Sequence, residues 1–294
     1  MKIGYRDFKK PLIFSNQLFL VLIAITLPFK NNFNSLVIIC FCVTSVFFIK
    51  RSDLSKTLKK SPFWLLSVLY FLILASSLMW DNQELNAVKA LESYAAFLFL
   101  VPLISLNPLI NVKSIKRTNL AFVISVVVGC CICFIKATLE YSQLDDYRVF
   151  YYQYLSGQIM INAIYLSLYC SYSFFCIIYY SGHFRSYSLS KMAGILIICL
   201  FLTVTILLLS SKMIIAIHFL LCFTILVTVF KKRGKIGLGI VAAATIVVAT
   251  SVLIWQMPYV KWRIEETLVK SYEGDKDNQN GLAVRFKIWQ SALE

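Results

Sequence analysis

The chain has 294 residues, 59% of them hydrophobic and only 15% charged, with a mean hydropathy of +0.75 and a formal net charge of +15. Soluble domains of this size are nearer half apolar and about a quarter charged, so the composition excludes an ordinary soluble globular protein. The apolar residues also run in blocks near the roughly 20 residues that a helix needs to cross a hydrocarbon layer.

In chain order the blocks predict spans over 12–29, 33–49, 63–79, 94–110, 118–139, 159–180, 192–209, 213–230 and 236–256. That is an all-α polytopic membrane protein of about nine transmembrane helices. Lys2, Arg6, Lys9 and Lys10 precede the first block, and Leu27-Pro28-Phe29-Lys30 after it lacks a small-residue cleavage pattern, so the block is expected to stay as an anchor. Lys30-Asn31-Asn32 reads as a tight hairpin, and residues 80–93 as a short link that is acidic on balance. Residues 140–158 set tyrosines around Asp145, Asp146 and Arg148. Tyrosine favours the membrane–water interface, so this loop is either an interfacial belt or a surface facing sugar or lipid. Asn162, inside the sixth block, is expected to hydrogen-bond between helices.

Two domains follow, a helical bundle over 1–256 and a water-facing segment over 257–294. Trp262, Leu268, Val269 and Tyr272 recur at helical spacing, as do Leu282, Phe286, Trp289 and Leu293 beyond a polar link that ends in Asn280-Gly281. The second helix reaches Glu294 without a stop signal, which predicts that this segment is the start of a longer loop.

The charge has a sidedness. Sorting the connections alternately puts 18 of the 29 Lys and Arg, but only Asp7 and Asp53 among the acids, on the side of the N-terminus. The other side holds 11 basic and 12 acidic residues. Basic residues mark the cytoplasmic side, so the N-terminus is expected inside and residues 257–294 outside. The basic excess is then topological, with no nucleic-acid partner. All nine cysteines fall within apolar blocks and none forms a CxxC pair in a loop. They read as small apolar fillers, with no metal or redox cofactor implied.

Between the seventh and eighth blocks lies the tightest connection, Ser210-Ser211-Lys212. Three readings of Lys212 stand: a side chain snorkelling to the interface, a polar turn residue, or part of an anion site at the outer face.

The order of parts from this turn onward resembles the O-antigen ligase and polymerase family of bacterial membrane glycosyltransferases. Those proteins show a Ser-Arg or Ser-Lys turn between two tightly paired spans. A basic cytoplasmic link, another span and an outside loop with an arginine shortly before an aromatic residue then follow. The corresponding parts are Ser211-Lys212, then Lys231-Lys232-Arg233-Gly234-Lys235, the span 236–256, and Gly281-Leu282-Ala283-Val284-Arg285 with Trp289. The resemblance covers the last third of the chain, and the earlier spans only in number and polarity.

It implies a donor glycan on a polyprenyl-diphosphate carrier, a lipid or glycan acceptor, and transfer at the outer face of the inner membrane, without metal or other cofactor. Lys212 and Arg285 would be the catalytic cations on the diphosphate, with Ser211, Arg148 and Arg263 as candidate substrate-binding residues. Many members have arginine where this chain has Lys212, and lysine keeps the charge but not the two-pronged geometry. Members also carry a loop histidine beyond the arginine, and neither His183 nor His218 takes that place. Residues 1–294 alone are therefore expected to be catalytically incomplete. His218 is expected to be a packed or hydrogen-bonded span residue. A transporter or flippase of a lipid-linked or polar solute is the alternative, and an assembly subunit without chemistry a third.

Overall fold

The computed structural model describes residues 5–29, 32–49, 63–77, 95, 98–181, 189–232, 237, 241 and 245. Arg263, Arg285, His183, the 80–93 link and the segment 257–294 lie outside them, as does all but three residues of the 236–256 block.

Among the described residues the regular structure is helical throughout. Helix α1 covers Tyr5–Thr26, α2 Asn32–Val46 and α3 Phe63–Ser77. A further helical run occupies 98–106. Then come α4, Val112–Leu144, a 3-10 turn at Tyr147–Phe150, and the short α5, Tyr152–Gly157. Helix α6 is Ala163–Tyr180, α7 Leu189–Leu208 and α8 Lys212–Lys232. Among the described residues, three stretches are long and apolar enough to cross a membrane: Val112–Leu144, Ala163–Tyr180 and Ser190–Leu208. The apolar parts of α1, α2, α3 and α8 are shorter.

Two boundaries differ from the sequence expectation. The basic run 111–117, expected as a link, forms the first turns of α4, because the Asn111 side chain accepts the Ser114 backbone N–H at 2.9 Å and caps the helix. At its far end α4 continues to Leu144. Its 33 residues span about 50 Å at 1.5 Å each, well beyond a hydrocarbon core of about 30 Å. The stretch 118–135 between Arg117 and Lys136 carries no charge, and at about 27 Å it matches that thickness.

The chain divides into two compact units, Met1–Gly129 with Phe175–Phe184, and Cys130–Phe174 with Arg185–Glu294. In the first, α1 and α2 form an antiparallel hairpin. Thr26 donates to Asn34 at 2.9 Å near the turn, and ten residues away along each helix Asn16 donates to Thr44 at 3.0 Å. Leu20, Ile23, Val37 and Phe41 fill the seam between them.

The interior holds polar groups beside its apolar core, and large apolar side chains cover the outside. Asn16, Ser45, Asn107, Ser171, Thr205 and His218 are buried, while Phe14, Ile39, Ile73, Leu196, Ile197 and Leu200 are more than 60% exposed. An apolar exterior with paired polar groups inside is compatible with packing in lipid, where burying a leucine gains little and pairing a polar group contributes to helix association.

Candidate functional site

The turn that carries Lys212 is built by the end of α7. Leu209 N–H donates to the Thr205 carbonyl and Ser210 N–H to the Leu207 carbonyl, both at 3.0 Å. Ser210 then reverses the chain with a φ of 49°. Most helices that end this way use glycine, since a side chain in the left-handed region costs about 1–2 kcal/mol. The Ser210 hydroxyl reaches back toward the Leu207 and Leu208 carbonyls at 3.3 Å. Ser211 supplies the carbonyl that accepts the Ile215 N–H at 2.9 Å, which makes it the residue just ahead of α8.

Lys212 is therefore the first residue of a 21-residue helix, and it is exposed, whereas Ser210 and Ser211 are buried. A helix start presents backbone N–H groups without intrahelical acceptors and the positive end of the helix dipole. Placing an ammonium there adds like charge to like, the reverse of the usual preference for acids in a first turn. An anion bound at the turn would face the lysine and the amides together.

In the same unit, the tyrosine-rich loop folds into a small cap rather than a loose link. The Lys136 ammonium donates to the Gln158 carbonyl at 3.0 Å, and the Gln158 amide in turn donates to Glu140 on α4. The Gln153 side chain accepts the Ala163 N–H at 3.2 Å and ties the cap to α6. Val149, Leu155 and Ser156 are buried beneath it, while Tyr147 and Tyr154 stay more than half exposed. Asp145, Tyr152 and Met160 all take a left-handed backbone conformation, three departures that sequence periodicity gives no sign of.

Arg148 lies on this cap, and its guanidinium grips Asp146 through Nε at 3.0 and 2.9 Å and Nη2 at 2.9 Å. The hydrogen bonds from Arg148 hold the Asp146 carboxyl below its ordinary range, and the same pair raises the guanidinium. The expected substrate contact thus spends its charge on a neighbour two residues away. Burial raises the phenol of Tyr151 beside it.

Asn162 departs from its expected role. Its side chain accepts the Ile164 N–H at 2.9 Å and its carbonyl the Leu166 N–H at 3.1 Å. It is the cap of α6 rather than a bridge between spans, because α6 begins at Ala163 and not at 159. His218 is fully buried, with Nδ1 3.0 Å from the Ser171 hydroxyl, Nε2 3.9 Å from the Cys222 sulfur and its ring edge-on to Phe174 at 4.7 Å. It is a hydrogen-bonded core histidine.

Of the expected site, the structure brings Ser211 and Lys212 together and places Arg148 in an ion pair. Arg263 and Arg285 lie outside the described residues. Sequence reasoning missed Lys136, whose signal was a cation closing the uncharged stretch 118–135. It also missed the buried Asn16 and Asn107, which had no local signal. Among the described residues, no three His, Cys, Asp or Glu side chains are arranged to hold a metal ion. No family, no curated protein and no solved structure matches the chain.

Proposed function

We propose that the protein is a multi-pass glycosyltransferase of the O-antigen ligase or polymerase type, set in the bacterial cytoplasmic membrane with its N-terminus inside. It moves glycan from a polyprenyl-diphosphate carrier to a lipid or glycan acceptor at the outer face. The observation that carries this reading is Lys212, an exposed cation on the first residue of α8, where helix amides and dipole already favour an anion. The apolar exteriors of the helices and the one-sided basic residues support the membrane setting.

In the transfer, the bond between the anomeric carbon and the diphosphate oxygen breaks, and the acceptor oxygen bonds to that carbon. The acceptor's proton passes to a base, and the polyprenyl diphosphate leaves with the bonding electrons. Negative charge on the leaving group peaks late in the reaction, so a fixed cation at its oxygens acts most strongly there. Lys212 fills that role in this proposal, with Arg285 as the second contact and Ser211, Arg148 and Arg263 as the candidate substrate-binding residues.

The test measures binding of a labelled polyprenyl diphosphate to the protein in vesicles, and glycan transfer in cells carrying the whole coding sequence. Lys212→Ala should weaken transfer by at least about 2 kcal/mol, near the contribution of one transition-state donor, while Lys212→Arg retains it. Wild-type binding and transfer by Lys212→Ala would show that the lysine only snorkels. Passage of donor across the vesicle without product would show a transporter.

A further inference from the structure

A second cationic feature lies in the first unit, at the opposite end of the chain's apolar stretches from the Lys212 turn in the proposed topology. A cavity of about 200 Å³ opens between α1 and the first turns of α4, lined by Phe14, Leu18 and Val21 on one side and Arg117 and Thr118 on the other. Gln17 adds an amide.

The charges that the first turns of α4 bring beside the cavity have one sign. Lys113 stands one turn before Arg117, and Lys116 lies over the Tyr180 ring at 5.7 Å. Between 112 and 139 α4 has no acidic residue. The other wall is apolar and faces outward, with Phe14 68% and Leu18 42% exposed. A free inorganic anion gains nothing from that wall, whereas a lipid uses both. At about 200 Å³ the space is below the roughly 300–1,000 Å³ of a pocket that encloses a whole drug-sized ligand. It suits a headgroup and the first part of a chain, with the remainder lying along the helix.

We propose that this groove binds one anionic phospholipid, its phosphate at the Arg117 guanidinium and its acyl chain along Phe14, Leu18 and Val21. Basic pockets between helices on the cytoplasmic side hold anionic headgroups in this manner. The inference needs the membrane setting proposed above but not the glycan chemistry.

Membrane fractionation is done first, because a protein absent from membranes overturns the setting rather than the groove. Delipidated protein in mild detergent is then heated with phosphatidylglycerol, phosphatidylcholine or inorganic phosphate. Phosphatidylglycerol should raise the unfolding temperature, and the other two should not. Arg117→Gln should weaken the apparent affinity for phosphatidylglycerol about fivefold, near the worth of one basic side chain at an anionic surface. Equal gains with phosphatidylcholine, equal gains with inorganic phosphate, or an unaltered phosphatidylglycerol response in Arg117→Gln would each overturn the proposal.

Discussion

Replacing Asn16 by leucine removes the centre of a buried polar node that joins three segments of the first unit. The Asn16 amide donates to Thr44 at 3.0 Å and Ser45 at 2.8 Å, and its oxygen accepts from the Asn107 amide at 2.9 Å. Hydrogen bonds between helices in lipid average about 0.6 kcal/mol and reach about 1.7, so three bonds bound the loss at about 2–5 kcal/mol. The surviving contacts place it near the lower end. Thr44 still donates to the Cys40 and Phe41 carbonyls, Asn107 still donates to Ser45 at 3.2 Å, and the Asn107 oxygen still accepts the Leu109 N–H. No partner is stranded without any bond. The expected cost of Asn16→Leu is therefore about 2 kcal/mol, read from reversible unfolding in mixed detergent micelles. Val43→Ala, at a residue one position from the node but 55% exposed, should cost under about 0.5 kcal/mol, as surface substitutions do. Because Asn16 and Asn107 share a bond, the double leucine variant should lose less than the sum of the two single losses. An Asn16→Leu protein within about 0.5 kcal/mol of the wild type, or strict additivity in the double variant, would refute the node's role.

Ser171→Ala should destabilise by about 0.6–1.7 kcal/mol, since it takes the partner from the buried His218 Nδ1. A cycle with His218→Phe should show that the two losses are coupled, and independent losses would count against the pair. The cap over 145–151 should resist protease throughout the ordinary carboxylate range and loosen only at lower pH. The folded-state pKa of Asp146 is depressed by Arg148, so the stability it adds is present above the unfolded value and disappears as pH falls through the folded one. Arg148→Gln should shift that loosening to higher pH, as limited proteolysis across a pH series would reveal. For the proposed orientation, cysteines at Ser52 and Gly274, with the native cysteines replaced, should label from opposite sides of the membrane. An impermeant reagent that reaches both in intact cells would defeat it.

The helices were legible from local information, because a chain in an apolar setting must satisfy each backbone group within its own segment. Blocks of apolar residues therefore announce helices whatever surrounds them. The same locality let Ser210-Ser211-Lys212 be recognised as the turn between α7 and α8. Boundaries were less legible. Asn111 and Asn162 act as caps through single side-chain bonds, and these moved the start of α4 earlier and that of α6 later than hydropathy implied.

Tertiary structure decided which polar groups meet. Asn16 and Asn107 are 91 residues apart, and Ser171 and His218 are 47. Within uniformly apolar helices a few scattered serines and asparagines do not mark which face turns inward. Only the packing of one helix on another selects their partners. It also set Arg117 beside the apolar α1 residues that line the groove. Hydropathy records the cost of placing a side chain in lipid, whereas a hydrogen bond depends on the position of a second group that the local sequence does not contain.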